Sequence, residues 1–174
     1  MNTWICLLRA VNVGGTGKLP MADLRRLCAE AGFADVRTYI ASGNVVCRSR
    51  KGEASVKQAL EKALFEYAGK AVGVLVRSPA EMAAVLADNP FPDAPGNRCV
   101  AIFLDEAPAV DALDDLRGQK DELLELGQRE IYVHYGDGMA DSKLRIPAAA
   151  NGTARNMNTV VKLVAMAAET DAAG

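Results

Sequence analysis

Apolar and polar positions follow two different periods along this chain. Residues 3–8 are a short apolar run of strand length, and residues 36–40 and 44–48 are two more. Between the first two runs, Met21, Leu24, Leu27, Cys28 and Ala31 recur at helical spacing. Pro20 opens that helix and Gly32 follows it, where a left-handed stop belongs. Ala41-Ser42-Gly43 is a turn that makes residues 36–48 an antiparallel hairpin. From residue 54 to 68 a second helical face collects Val56, Ala59, Leu60, Ala63, Leu64 and Tyr67, with Gly69 as its stop. Residues 72–76 are a fourth strand. The order β-α-β-β-α-β predicts a ferredoxin-like split β-α-β half, with right-handed crossovers placing both helices on one face of an antiparallel sheet. The central strands are apolar on both faces, so the face away from the helices should be covered by the second half or by another subunit.

Ser78-Pro79-Ala80-Glu81 is a capping box that opens a short helix. Residues 89–96 hold three prolines and a glycine and break regular structure. The expected division is therefore residues 1–78 and 79–174, with a boundary helix and loop at 79–97 and a smaller α+β C-terminal half packed against the first. Within that half, residues 98–104 and 130–135 read as strands and Gly136-Asp137-Gly138 as a turn. The acidic stretch 110–126 reads as one or two helices broken at Gly118. Thr153 reads as the cap of a last helix with the face Met157, Val160, Val161, Val164 and Ala168. The whole is an α+β chain whose second half resembles a degenerate copy of its first.

The chain of 174 residues is 50% hydrophobic and 24% charged, the balance of a globular protein with a real core. It shows no signal-peptide pattern and no run long enough to span a membrane, which points to the cytoplasm. Cys6, Cys28, Cys47 and Cys99 form no C-x-x-C pair and lie in apolar stretches, as buried thiols would. With one histidine, His134, no metal site is expected, and no cofactor motif is present. The net charge of −2 conceals about +5 over residues 1–51 and −8 over residues 81–130. A split of this kind marks either an anion-facing surface or two halves that attract each other.

The glycine-rich stretch LLRAVNVGGTGKLPM looks like a phosphate loop, but Asn12 and Leu19 stand where a Walker loop needs glycine and a hydroxyl. No dinucleotide fingerprint can be read from it either. What it retains is a lysine on a loop leading to a helix. An RNA-recognition mechanism is disfavoured, because the third strand has no aromatic to stack a base. A second polar cluster, Thr153-Ala154-Arg155-Asn156, offers an arginine and amides suited to carboxylate or phosphate.

The blocks LLRAVNVGGTGKLPMADLRRL, GFADVRTYIASGNVV, NPF, AIFL, IYV, SKL and TARNMNTVVKL occur in this order over residues 3–168. Together they resemble the bacterial family called domain of unknown function 1697. Two positions depart from that family's pattern: Ala154 replaces a threonine, and Met157 stands where an aromatic is usual. The resemblance implies a cytosolic α+β protein with a ferredoxin-like half and no established activity. It highlights Arg9, Asn12, Lys18, Ser42, Asn44, Lys143, Arg155 and Asn156.

Taken together, these features point to a protein that binds or acts on a phosphorylated or carboxylated small molecule. Arg9, Lys18 and Arg155 would supply charge, and backbone N–H groups of Gly14 and Gly15 would orient the anion. Asn12, Ser42, Asn44 and Asn156 would select the ligand, with Lys143 beside them. Two other readings fit the same residues. One is a nucleic-acid or protein binding module without chemistry; the other is a purely structural role. No reaction and no oligomeric state are assigned.

Overall fold

Apolar periodicity builds the first unit as expected. Its elements are β1 (Asn2–Leu8), α1 (Met21–Glu30), β2 (Ala34–Tyr39), β3 (Asn44–Ser49), α2 (Glu53–Ala68) and β4 (Val74–Arg77). The computed structural model describes residues 1–12, 18–136 and 139–174. The strands form a sheet in the order β2-β3-β1-β4 with antiparallel neighbours throughout. Leu24, Leu27 and Cys28 of α1 and Val56, Leu60 and Leu64 of α2 pack on Cys6, Leu8, Val45, Cys47, Val74 and Val76. That assigns both helices to one face. The α1 terminus closes with Gly32 at φ 92 and the Phe33 N–H donating to the Cys28 carbonyl at 3.0 Å. Tyr67 departs from its expected place in the buried stripe. It is 40% exposed, and its hydroxyl donates to Asp23 Oδ2 at 2.7 Å.

The opposite face of this sheet carries Ile5, Leu7 and Val46, all buried. Its cover includes the end of the last helix, α4 (Met157–Ala173). The Thr3 hydroxyl bonds Asp171, Arg37 pairs with Glu169 at 3.0 Å, and the Lys162 ammonium lies 5.9 Å from the Tyr39 ring centre. Register places Thr3, Arg37 and Tyr39 on the face of Ile5 and Val46, away from α1 and α2. The chain accordingly divides into residues 1–82 with 162–174, and residues 83–161.

Helix α3 (Pro79–Ala87) leads into the second unit. Its capping box forms: the Ser78 N–H donates to Glu81 Oε1 at 2.9 Å, and the Glu81 N–H donates to Ser78 Oγ at 3.1 Å. Next come β5 (Cys99–Phe103), β6 (Leu123–Leu126), β7 (Glu130–His134) and β8 (Thr153–Asn156), in the sheet order β6-β7-β5-β8. Two sequence-based expectations are corrected here. The acidic stretch is not helical; it runs through turns into β6, whose Leu124 and Leu126 join the cluster of Val100, Ile102, Ile131 and Val133. Pairing with β7 outweighs local helix propensity. The second correction concerns Thr153, which is a strand residue. The cap of α4 is Asn156, whose Oδ1 accepts from the Thr159 N–H at 2.9 Å. The turn expected at Gly136-Asp137-Gly138 falls partly outside the described residues.

With β8 assigned, the second sheet matches the first strand for strand. Leu7 faces Asn44 and Leu75; Phe103 faces Glu130 and Thr153. In the same register Ile5 faces Arg77, and Ala101 faces Arg155. Even the closing backbone bond is repeated, Leu8 N–H to the Gly43 carbonyl and Leu104 N–H to the Arg129 carbonyl, at 2.8 and 2.9 Å. In both halves an arginine and a capping residue end the fourth strand and start a helix: Arg77-Ser78 and Arg155-Asn156. Among the described residues the crossovers of the second unit hold no α-helix, only short 3-10 turns at Met139–Asp141 and Pro147–Ala149; Leu113, Leu144, Ile146 and Ala149 cover its core instead.

The cap gives a first expected result. Asn156→Ala should cost about 1 kcal/mol, or roughly 2–4 °C in melting temperature for a chain of this size, read by circular dichroism. Asn156→Ser or Asn156→Asp should restore most of it. Among the described residues no helix is long and apolar enough to cross a membrane.

Candidate functional site

Antiparallel pairing brings three connections to one end of the first sheet. Leu8, at the end of β1, lies beside Val74, at the start of β4, and Leu7 lies beside Asn44, at the start of β3. The segment after β1, the β2–β3 turn and the α2–β4 connection are therefore neighbours. Arg9, Asn12 and Lys18 lie on the first of these, and Ser42 and Asn44 on the second. Gly14 and Gly15, expected to orient an anion, lie outside the described residues.

Asn12 binds the two loops together. Its Nδ2 donates to the Leu19 carbonyl at 2.9 Å and to the Ala41 carbonyl at 2.7 Å, and its Oδ1 accepts from the Leu19 N–H at 2.6 Å. Both amide hydrogens are thus spent on backbone. Asn44 is fully buried, and its Nδ2 donates to the Tyr39 carbonyl at 2.9 Å and to Ser42 Oγ at 3.1 Å. Gly43 adopts φ 88 with no room for a side chain; a Cβ there would lie 2.7 Å from Val11 Cγ2 and 2.8 Å from Leu8 Cβ. Ala10, Asn12 and Ile40, at φ 55, 56 and 49, are also left-handed, and all three stand in these two loops. Left-handed non-glycine residues cost about 1–3 kcal/mol each and gather where a loop shape matters more than stability.

The cationic residues face outward from this frame. Arg9 is exposed, and its N–H donates to the Gly73 carbonyl at 2.8 Å. Lys18 is exposed too and lines a pocket of about 50 Å³ with Lys70, which sequence reading did not single out. The other described residues of its lining are Ala10, Val11, Leu19, Leu64, Tyr67, Ala68 and Val72, with no carboxylate among them. Strand order would have found Lys70: it immediately follows the stop glycine of α2 and precedes the strand paired with β1. A larger cleft, about 740 Å³, runs between α1 and α2, and each of its two carboxylates is paired with a cation of the same helix. Arg26 meets Glu30 at 3.2 Å and Lys62 meets Glu66 at 4.0 Å.

The other expected site residues, Lys143, Arg155 and Asn156, belong to the second unit. Lys143 is exposed in a segment tied down by the Arg117–Arg145 bridge. Arg155 is 6% exposed; its Nη1 donates to Thr153 Oγ1 at 2.7 Å and to the Ala154 carbonyl at 2.9 Å. Burial pushes its guanidinium down to about 10, still charged at neutral pH. Arg77, its counterpart in the repeat, is fully buried and makes the same bond to the preceding carbonyl, at 3.0 Å. Asn156 spends its carbonyl oxygen on the α4 cap. At the end of β5 equivalent to the Lys18 pocket, a cleft of about 640 Å³ is lined instead by Asp105, Glu106, Asp111 and Asp115. The repeat therefore carries opposite charge at the matching sheet end.

Nucleophilic and metal chemistry find little support. All four cysteines are buried and free. A hydrogen bond between the Cys6 and Cys47 thiols and then burial raise the Cys6 pKa, and burial pushes Cys28 up to about 12. Cys99 lies opposite His134, yet its thiol donates to Asn89 Oδ1 at 3.6 Å, and burial raises its pKa. A protonated, buried thiol is a poor nucleophile. The His134 ring is packed 5.6 Å from that of Phe91. Among the described residues no group of three or more metal-ligating side chains comes together.

Known proteins place the chain in context. The solved structure of the conserved bacterial protein SP0830 from Streptococcus pneumoniae is similar to it, with 26% identity and a TM-score of 0.80. The match covers 96% of this chain and 98% of that one. No curated protein matches. Residues 1–132 match the family described as protein of unknown function, DUF1697. With three quarters of its length inside that match, the chain belongs to the DUF1697 family.

Proposed function

We propose that this protein binds a small anionic molecule at the end of its first sheet, among Arg9, Lys18 and Lys70. One observation carries the reading: among the described residues, two lysines and no carboxylate line the pocket there. Beside it, Asn12 ties Leu19 to Ala41, and Gly43 packs tightly against Val11 and Leu8. Asn12, Ser42 and Asn44 serve as the frame rather than as ligand contacts. On element order and strand order we assign the first unit to the ferredoxin-like class, and we place the protein in the cytoplasm. The alternative, a basic surface for nucleic acid, is weakened by pairing. Arg26 meets Glu30 at 3.2 Å, Arg37 meets Glu169 at 3.0 Å, and Arg48 meets Asp35 at 3.9 Å.

A thermal-shift screen against carboxylates, sugar phosphates, nucleotides and inorganic anions tests the proposal. A ligand at a hundred times its Kd stabilises by about 2.7 kcal/mol, raising the melting temperature roughly 5–10 °C. The Lys18→Gln/Lys70→Gln double variant should keep the parent's circular dichroism spectrum and lose the shift. If no anion shifts the parent, or the double variant shifts equally, the proposal fails.

A further inference from the structure

Resting on that anion-binding reading, we infer that the ligand is a monocarboxylate with a short aliphatic tail, seated tail-inward beside Lys18. The pocket has an apolar floor and a charged mouth. Val11, Leu19, Leu64 and Val72 supply the floor, and Lys18 and Lys70 are the charged side chains among its described lining residues. Among the described lining residues one side chain carries a hydroxyl, Tyr67, and it is spent on Asp23. A phosphate entering this space would face aliphatic carbon with two lysine ammonium groups as its side-chain donors among the described lining residues, which is costly for a dianion. Phosphate sites are commonly built from guanidinium forks or converging backbone N–H groups, whereas a lysine is a compact point charge. A carboxylate at the mouth keeps its single charge against the two ammonium groups while the tail covers aliphatic carbon.

Size sets the tail length. A volume of about 50 Å³ has room for roughly three to five water-sized groups, so the tail has about that many carbons. Each methylene that leaves water for the floor tightens binding about fourfold. Once the floor is full, further carbons gain little.

The experiment is a calorimetric titration of the full chain with formate, acetate, propionate, butyrate, pentanoate, hexanoate, methyl phosphate and inorganic phosphate. It is repeated on Lys18→Gln and on Ala68→Leu. Ala68 is exposed on α2 and lines the pocket, so leucine there fills the void without entering the core. Affinity should climb about fourfold per carbon to roughly pentanoate and then level. Ala68→Leu should abolish that dependence, and Lys18→Gln should weaken every acid by a similar factor. Phosphate preferred over the acids, with no chain-length trend and no effect of Ala68→Leu, overturns the ligand class but leaves anion binding standing. A chain-length trend indifferent to Lys18→Gln overturns the inference too. If nothing binds at roughly tens of millimolar, both readings fall.

Discussion

Gly43→Ala should lower the melting temperature by roughly 4–20 °C, the largest effect expected of any single substitution near the site. Two costs add. The backbone at φ 88 disfavours any L side chain by about 1–2 kcal/mol. The new methyl would also sit 2.7 Å from Val11 Cγ2 and 2.8 Å from Leu8 Cβ. Leu8 Cβ is fixed by the backbone of β1 and cannot swing away, so relief must come from moving one loop off the other. Overpacking of that kind costs about 1–3 kcal/mol. Val11→Ala in the Gly43→Ala background should recover part of the loss by removing one of the two clashing carbons. Thermal melts of the two single variants and the pair measure this. If Gly43→Ala melts with the parent, the turn does not sit against β1 as described.

Asn12→Ala should cost about 2–4 kcal/mol, because three backbone partners are lost at once and the Leu19 N–H and carbonyl are left without them. Part of the cost is conformational, since alanine tolerates φ 56 less well than asparagine. Asn12→Gly separates the two contributions: it accepts the backbone angle and still lacks the amide. The gap between the variants, about 1 kcal/mol, is the conformational share, and the remainder is hydrogen bonding. Asn12→Asp keeps the acceptor for the Leu19 N–H but turns a carboxylate toward two carbonyls, so it should resemble alanine rather than the parent. Urea denaturation of the three variants gives these differences. Full stability in Asn12→Ala would mean that the amide does not hold the loops.

The first half of the fold was legible because its signals are local. The α2 stripe, the glycine stops at Gly32 and Gly69 and the capping box at Ser78 each act within a few residues. β6 and β8 were not legible. Their four-residue stretches, Leu-Leu-Glu-Leu and Thr-Ala-Arg-Asn, become strands by pairing with β7 and β5, and nothing in a window of that length states the partner. The site divides in the same way. Lys18 stood out beside its glycines, whereas Lys70, Leu64 and Val72 reach the pocket through the antiparallel pairing of β1 and β4. Asn12 is expected from the sequence to select a ligand; in the structure its amide bonds the backbone of Leu19 and Ala41.

The helix end that lies against Thr3, Arg37 and Tyr39 has a consequence for the order of synthesis. The strands of the first sheet are complete once Arg77 has been made, but the residues from Lys162 that cover its second face come about 85 residues later. At roughly 5–20 residues per second that is a wait of about 4–17 s. Through that interval the nascent sheet lacks this cover over Ile5, Leu7 and Val46. Of the two units, the one whose strands are made first is thus completed after the other, and its sheet stays open to wrong partners while the chain is being made.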